Sequence, residues 1–325
     1  MTGALLSVRD LTVSYSVGGK RAAAANGLTF EIESGQRLGI VGESGSGKST
    51  LALALMRLHK PPARIESGEA ILGGTDIMKL EGEALRRFRW SEIALIPQGA
   101  MNSLNPVLRV GTQIADAVRA HERSVSRRDI DRRVNAVLES VGLDPSVRKL
   151  FPHELSGGMK QRVCIALAII LKPKLIIADE PTSALDVVVQ RKVIETLQRV
   201  QKEIGAALIM IGHDMGLMAQ SVDRLAVMYA GRLVDIAPIR DFFHKPLHPY
   251  SRMLISSLPS IDEKRQMTGI PGAQPSLLDL PNGCAFHPRC PAKVDVCPRM
   301  APALLKSGES RETACHVVQA EMADA

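Results

Sequence analysis

Apolar and polar positions alternate over residues 6–15 (LSVRDLTVSY) and 27–33 (GLTFEIE), the period of two shown by half-buried antiparallel strands. Val17, Gly18, Gly19 and Lys20 between them read as a turn. Arg37 to Val41 is a short apolar strand running directly into a glycine-rich loop, and Ser49 to Leu58, rich in helix formers and free of breakers, predicts a helix. Lys174–Ala178 and Ala207–Gly212 are continuous apolar runs ending in polar residues, the pattern of parallel strands covered by helices. Between 85 and 150 helix signals dominate. Ser126 with Asp129 resembles a capping box with Asp in place of Glu, Ile130, Val134, Val137, Leu138 and Val141 share one face, and Gly142 is a C-cap candidate. Arg224–Tyr229 and Arg232–Asp235, joined at Ala230 and Gly231, predict a terminal hairpin. Beyond about residue 240, prolines at 246, 249, 259, 271, 275, 281, 288, 291 and 298 break the chain into short pieces, which predicts an appendage rather than a continuation of the α/β core.

Composition narrows this little. The 325 residues suit about two domains, and 45% apolar with 23% charged residues is ordinary for a soluble globular protein. The longest strongly apolar run, Val163–Leu171, is nine residues, against the roughly 20 needed to span a bilayer. The N-terminal MTGALLSVRDLTV lacks a basic stretch followed by an apolar one, so no signal peptide is predicted and the cytosol is the expected compartment. One Trp, three Tyr and six Phe are too few for a surface that stacks successive bases. The net charge of +7 fits an anionic partner without choosing one. Arg127, Arg128, Arg132 and Arg133 read as the solvated face of their helix rather than a nucleic-acid patch.

The glycine-rich loop names the anion. Gly42, Glu43, Ser44, Gly45, Ser46, Gly47, Lys48, Ser49 and Thr50 fit GxxxxGK[ST] with a strand before and a helix after. Glycines let backbone N–H groups turn inward around a β-phosphate, and the helix N-terminus adds partial positive charge. Lys48 is then placed to reach β- and γ-phosphate oxygens, and the Ser49 hydroxyl to ligate Mg²⁺. Leu175–Glu180 is an apolar strand with two acids at its C-terminal edge, where ligands sit in parallel α/β sheets. Asp179 is placed to hold Mg²⁺ and Glu180 to polarise the attacking water. Ser156, Gly157 and Gly158 open a helix and offer a second anion site of exposed backbone donors.

Leu155–Arg162 (LSGGMKQR) resembles the signature of the ATP-binding cassette (ABC) ATPases, and the resemblance covers nearly the whole chain. It implies a P-loop NTPase core with an N-terminal antiparallel β subdomain and a helical subdomain at about 98–165. Domains are expected at 1–240, the nucleotide-binding domain, and 241–325, a Pro/Cys-rich C-terminal extension. It also implies head-to-tail dimers, each ATP lying between one phosphate loop and the other subunit's signature. Tyr15 matches the aromatic that stacks on adenine, and Gln98 the Q-loop glutamine that touches Mg²⁺. Ser183, Ala184, Leu185 and Asp186 match the D-loop, and His213 matches the switch histidine at the γ-phosphate.

Three features resemble the dipeptide, oligopeptide and nickel importer branch. Gln98–Pro106 is similar to the branch's Q-loop extension ending in SLNP, with Gly99 and Ala100 in place of the usual acid and proline. Pro246–Tyr250 (PLHPY), with Leu254 and Pro259 beyond, resembles the branch's extension. Cys284, Cys290, Cys297 and Cys315 form the third. Four cysteines so close in a cytosolic chain suggest metal over disulfide. Their spacing leaves a 4Fe-4S cluster, zinc or free thiols open, with the family pattern pointing to 4Fe-4S. His287 and His316 lie beside them, and Cys164 reads as core.

The resemblance thus implies an ATPase at the cytoplasmic face of the inner membrane. Its expected partners are a second, distinct ATPase subunit, two membrane permease subunits met by the 98–106 region, and an extracytoplasmic binding protein. Peptide is the expected substrate, with oligosaccharide or nickel as alternatives. An exporter ATPase, or a non-transport ABC ATPase acting on nucleic acid, is the competing class. The chain lacks the fused second cassette or coiled-coil insertion of the non-transport members, so no nucleic-acid partner is expected.

Overall fold

The computed structural model describes residues 3–258 and 269–323; Pro259 lies outside them. The strands are β1 (Leu6–Val17), β2 (Lys20–Ile32), β3 (Arg37–Val41), β4 (Ala63–Leu72), β5 (Thr75–Asp76), β6 (Ile93–Ile96), β7 (Leu175–Asp179), β8 (Ala207–Ile211), β9 (Arg224–Tyr229), β10 (Arg232–Pro238), β11 (Leu305–Gly308) and β12 (Arg311–Thr313). The helices are α1 (Lys48–Leu55), α2 (Gly82–Ser91, non-helical at Arg89 and Trp90), α3 (Val110–His121), α4 (Arg127–Ser140), α5 (Gly157–Ile169), α6 (Val187–Ile204), α7 (Met215–Ser221), α8 (Ile239–His244), α9 (Pro249–Ser256) and α10 (His316–Ala323). They fall into two compact units, one of Met1–Leu6, Ile32–Arg37 and Ile71–Ile211, the other of Ser7–Glu31, Leu38–Ala70 and Gly212–Ala325.

The first unit holds a parallel sheet in the order β6, β7, β8, with Ile93 opposite Leu175 and Leu175 opposite Ala207. Every residue of β7 and β8 is buried, as a parallel strand covered on both faces requires. Helices α3, α4 and α5 pack on one another. The Ser126 cap forms: its Oγ accepts from the Asp129 N–H at 3.1 Å and donates to the Asp129 carboxylate at 2.8 Å. The arginines of α4 are helix surface. Arg127, Arg128 and Arg132 are exposed, Arg132 pairs with Asp129, and Arg133 meets both oxygens of Glu122 at 2.8 Å.

In the second unit β1 and β2 form a hairpin about Gly18 and Gly19, both left-handed at φ 57° and 77°, as a two-residue turn needs. Strand β2 starts well before the alternation that predicts it, because the buried run Ala22–Ala25 carries no alternating polar positions. Helix α1 ends at Leu55, short of the predicted Leu58. Arg57 takes a left-handed φ of 52°, with its N–H on the Ala54 carbonyl and that of Leu58 on the Leu53 carbonyl. This is a Schellman ending without its customary glycine, so the sequence carries no stop signal there.

The second sheet order in this unit is β3, β9, β10, β12, β11, parallel between β3 and β9 and antiparallel thereafter. Strand β10 runs on to Pro238, past the predicted Asp235, through a register shift between Leu233 and Asp235. The proline-rich segment departs from its sequence reading. Beyond residue 300 it adds β11 and β12 to the core hairpin, with Asp235 opposite Thr313. Asp235, fully buried, accepts from Ser251 Oγ at 2.7 Å, Thr313 Oγ1 at 3.1 Å and the His248 N–H at 3.4 Å. Tyr229, Tyr250 and Phe286 pack ring to ring at 4.8–5.2 Å beside it, each aromatic pair adding about 1 kcal/mol beyond its buried area.

Candidate functional site

The phosphate loop leaves β3 and enters α1 with Gly47 as the residue before the helix. Gly47 has φ 104°, and a Cβ there would run into the Ala24 carbonyl oxygen. No other residue type fits that close approach. Ser44 and Gly45 are exposed at the loop tip, while Ser46 is buried and its carbonyl accepts from the Gly231 N–H at 3.0 Å. Lys48 folds back over the loop. Its Nζ donates to the carbonyls of Gly42 at 2.7 Å and Glu43 at 2.9 Å and to Ser46 Oγ at 3.3 Å. Ser49 and Thr50 are half-buried at the first turn of α1. The Tyr15 hydroxyl lies 3.2 Å from Thr50 Oγ1, so the expected adenine-facing ring is tied to the end of the loop. His213, which follows the β8 run, is exposed.

In the first unit, Asp179 ends β7, 5% exposed, and Glu180 follows in a left-handed conformation at φ 47°. That conformation costs a non-glycine residue about 1 kcal/mol or more and persists where surrounding structure imposes it. Here the Glu180 N–H is fixed on the Ile211 carbonyl at 2.9 Å. The Glu180 carboxylate is met by Gln98 Nε2 at 2.8 Å. The two residues lie 82 positions apart in the chain, and the fold brings their side chains together.

The signature opens α5. Ser156 caps the helix by accepting from the Met159 N–H at 3.3 Å. A Cβ at Gly157 would lie 3.2 Å from Leu185, and one at Gly158 2.6 Å from Val189, so the glycines let Leu185 and the first turn of α6 pack against the start of α5. Ala184 in that loop has φ 65°. The Asp186 side chain is used locally, accepting from the Val189 N–H at 2.9 Å to cap α6. As oxygen donors, the hydroxyl of Ser49, the amide of Gln98 and the carboxylate of Asp179 have the chemistry that suits Mg²⁺.

The cysteines divide as expected into core and extension. Cys164 is 6% exposed, and burial pushes its thiol up to about 12. Its Sγ donates to the Ala100 carbonyl at 3.2 Å. Cys284, Cys290, Cys297 and Cys315 are free thiols, near enough to interact through their charges. Burial pushes Cys284 up to about 11, and the charges of Cys297, Cys290 and Cys315 add to the rise. The Cys284 N–H donates to the Cys297 carbonyl at 2.8 Å. The expected metal site is not formed by these side chains. Among the described residues, no group of three or more His, Cys, Asp or Glu is placed to hold a metal ion. His287 Nδ1 is occupied by the Cys284 carbonyl at 2.9 Å and His316 Nε2 by the Met300 carbonyl at 2.9 Å.

Sequence reasoning passes over Arg289, whose guanidinium meets both carboxylate oxygens of Glu43, and it gives Tyr250 no role at the loop. The one available signal is the placement of Arg289 beside Cys290 in a proline-rich stretch.

Comparison with known proteins gives the family. The family profile described as ABC transporter matches residues 25–183. That described as Oligopeptide/dipeptide transporter, C-terminal region, matches residues 234–297. The chain is 43% identical over 316 residues to the oligopeptide transport ATP-binding protein OppD of Escherichia coli, covering 96% of this chain and 93% of that protein. It is 42% identical over 316 residues to the dipeptide transport ATP-binding protein DppD of Haemophilus influenzae, covering 96% and 95%. Among solved structures it is similar to a dimeric ATP-binding cassette in a post-hydrolysis state with ADP and phosphate bound. That match has a TM-score of 0.64 at 25% identity, over 72% of this chain and 99% of the other. The chain belongs to the ABC transporter ATP-binding proteins, in the branch that carries the oligopeptide/dipeptide C-terminal region.

Proposed function

We propose that this chain is the ATP-hydrolysing subunit of an ABC importer for di- and oligopeptides. The observation that carries the proposal is the 2.8 Å hydrogen bond from Gln98 to Glu180. It ties the carboxylate that would take a proton from water to the start of the 98–106 segment that would face membrane subunits. Beyond that segment Val107 is 76% exposed and Leu108 37%, apolar surface suited to a protein partner. OppD and DppD are by name transport proteins for oligopeptides and dipeptides, which supports peptide as the cargo.

In this reading residues 1–240 form the nucleotide-binding domain, with a helical subdomain at about 98–165, and 241–325 the extension. Lys48 and the loop's N–H groups hold the β- and γ-phosphates, and Tyr15 stacks on adenine. Ser49, Gln98 and Asp179 are the Mg²⁺ donors, which would supply charge neutralisation at the phosphates. Glu180 orients water, and His213 contacts the γ-phosphate. Ser156, Gly157 and Gly158 serve the partner ATPase's nucleotide, and Asp186 communicates across the dimer. That partner is taken as a distinct ATPase chain. Two permease subunits and an extracytoplasmic binding protein complete the assembly at the cytoplasmic face of the inner membrane.

The four extension cysteines are taken as 4Fe-4S ligands. Their gathering in one neighbourhood and the resemblance support this. Zinc on the same four thiolates is the alternative. Iron and sulfide content after anaerobic purification tests the cluster; iron-free protein with four alkylatable thiols rejects it.

Reconstitution with the permeases and binding protein in proteoliposomes tests the transport role. ATP-dependent, saturable uptake of short peptides is expected. Uptake of nickel or oligosaccharide without peptide would overturn the cargo, and nuclease-sensitive association without permease binding would overturn the transport role.

A further inference from the structure

We infer that the C-terminal extension sets the shape and charge of the phosphate loop, with Arg289 and Tyr250 acting on Glu43 as positioning residues for ATP. The inference rests on the reading of residues 42–50 as the ATP site. Glu43 places a carboxylate in a loop that must accept the negative charge of phosphates, so on its own it opposes nucleotide binding. Arg289 neutralises it in a two-pronged pair, Nη1 to Oε2 at 2.7 Å and Nη2 to Oε1 at 2.9 Å. The Arg289 side chain is 4% exposed, against 29% for Glu43. Its remaining donors meet the carbonyls of Pro271 at 2.9 Å and Ile270 at 3.4 Å and the Tyr229 hydroxyl at 3.3 Å. The fork is therefore held in one orientation from several sides, the arrangement in which Arg and Lys are not interchangeable.

The backbone of Glu43 is held as well. Its N–H donates to the hydroxyl of the fully buried Tyr250 at 3.0 Å, and its carbonyl accepts from Lys48 Nζ at 2.9 Å. A shift of Glu43 therefore moves a partner of the lysine that would grip the phosphates. These contacts span 207 and 246 positions of sequence, so the extension reaches the loop only through the fold.

ATPase kinetics of the full chain in its complex, with thermal melts of every variant, test the inference. Arg289→Met is expected to raise KM for ATP about tenfold while kcat stays within about twofold, since a binding charge and not a transition-state contact is lost. Arg289→Lys should fall between, and Tyr250→Phe should raise KM less than Arg289→Met. Combining Arg289→Met with Glu43→Gln removes the uncompensated charge and should bring KM back towards wild type, which a merely structural role for Arg289 does not predict. A wild-type KM for Arg289→Met, or a raised KM that the double variant fails to lower, overturns the inference. If the single variant does not fold, Arg289→Lys and the double variant decide it by the same criterion. A wild-type complex that neither binds nor hydrolyses ATP would overturn the ATPase reading instead.

Discussion

Acid should destabilise this protein through His248. The residue is 2% exposed and caps α9, its Nδ1 accepting from the Tyr250 N–H at 3.0 Å, which requires that nitrogen to be unprotonated. Burial, then the charge of Arg252, pushes its pKa down to about 3 against an ordinary 6.5, with a backbone hydrogen bond at Ala314 opposing. Between those values the unfolded chain binds a proton that the native state refuses. Stability is therefore full above about pH 6.5 and falls as the pH drops through the window, by about 1.4 kcal/mol per unit well below 6.5. At pH 5.0 the loss comes to about 2 kcal/mol, a sizeable share of the roughly 5–15 kcal/mol that holds a domain folded. Asp235 and Arg311 lie in the same patch, and burial raises the Asp235 carboxyl, which works in the opposite direction in acid. The comparison is therefore with His248→Asn, which keeps a capping acceptor, cannot titrate and shares those neighbours. Urea unfolding at pH 7.5 and 5.0 should show wild type losing about 2 kcal/mol more than the variant. Parallel losses in the two proteins would refute the reasoning.

Other consequences can be checked as directly. Asp235→Ala orphans the donors on Ser251, Thr313 and His248 and should cost about 3 kcal/mol in chemical unfolding; a change under about 1 kcal/mol would contradict the network. Gly47→Ala drives a Cβ into the Ala24 carbonyl at a left-handed φ, so ATP binding measured by calorimetry should be lost while the circular dichroism of the fold persists. Cys164, with its thiol pushed up to about 12, should resist alkylation at pH 8 in the native protein and react after denaturation, read by intact mass; native labelling at Cys164 would show the site to be open.

The parts of the site legible in sequence are those whose chemistry is contiguous. The phosphate loop, the β7 strand ending in Asp179 with Glu180 next to it, and the Ser156 cap each need only neighbours within a few residues, so composition and spacing reveal them. The Ser126 cap of α4 is of the same kind. Alanines conceal the first half of β2 because they carry no alternation. Strands β11 and β12 are four and three residues long, mostly polar, and exist because β10 supplies an edge. Asp235 looks like the polar end of a strand until two hydroxyls and an N–H from distant segments converge on it. Arg289 looks like one more surface cation, since its partner Glu43 lies 246 positions away. The four cysteines show the converse failure. Proximity in sequence does foretell proximity in space, but not ligand geometry.

Glu180, held at φ 47° and met by Gln98, is proposed as the group that activates water for ATP hydrolysis. Single-turnover hydrolysis by the complex carrying Glu180→Gln tests it most directly, because glutamine preserves shape and cannot accept the proton. Hydrolysis slowed at least about 100-fold is expected, with ATP still bound and the ATPase dimer held closed. Hydrolysis at the wild-type rate would contradict it.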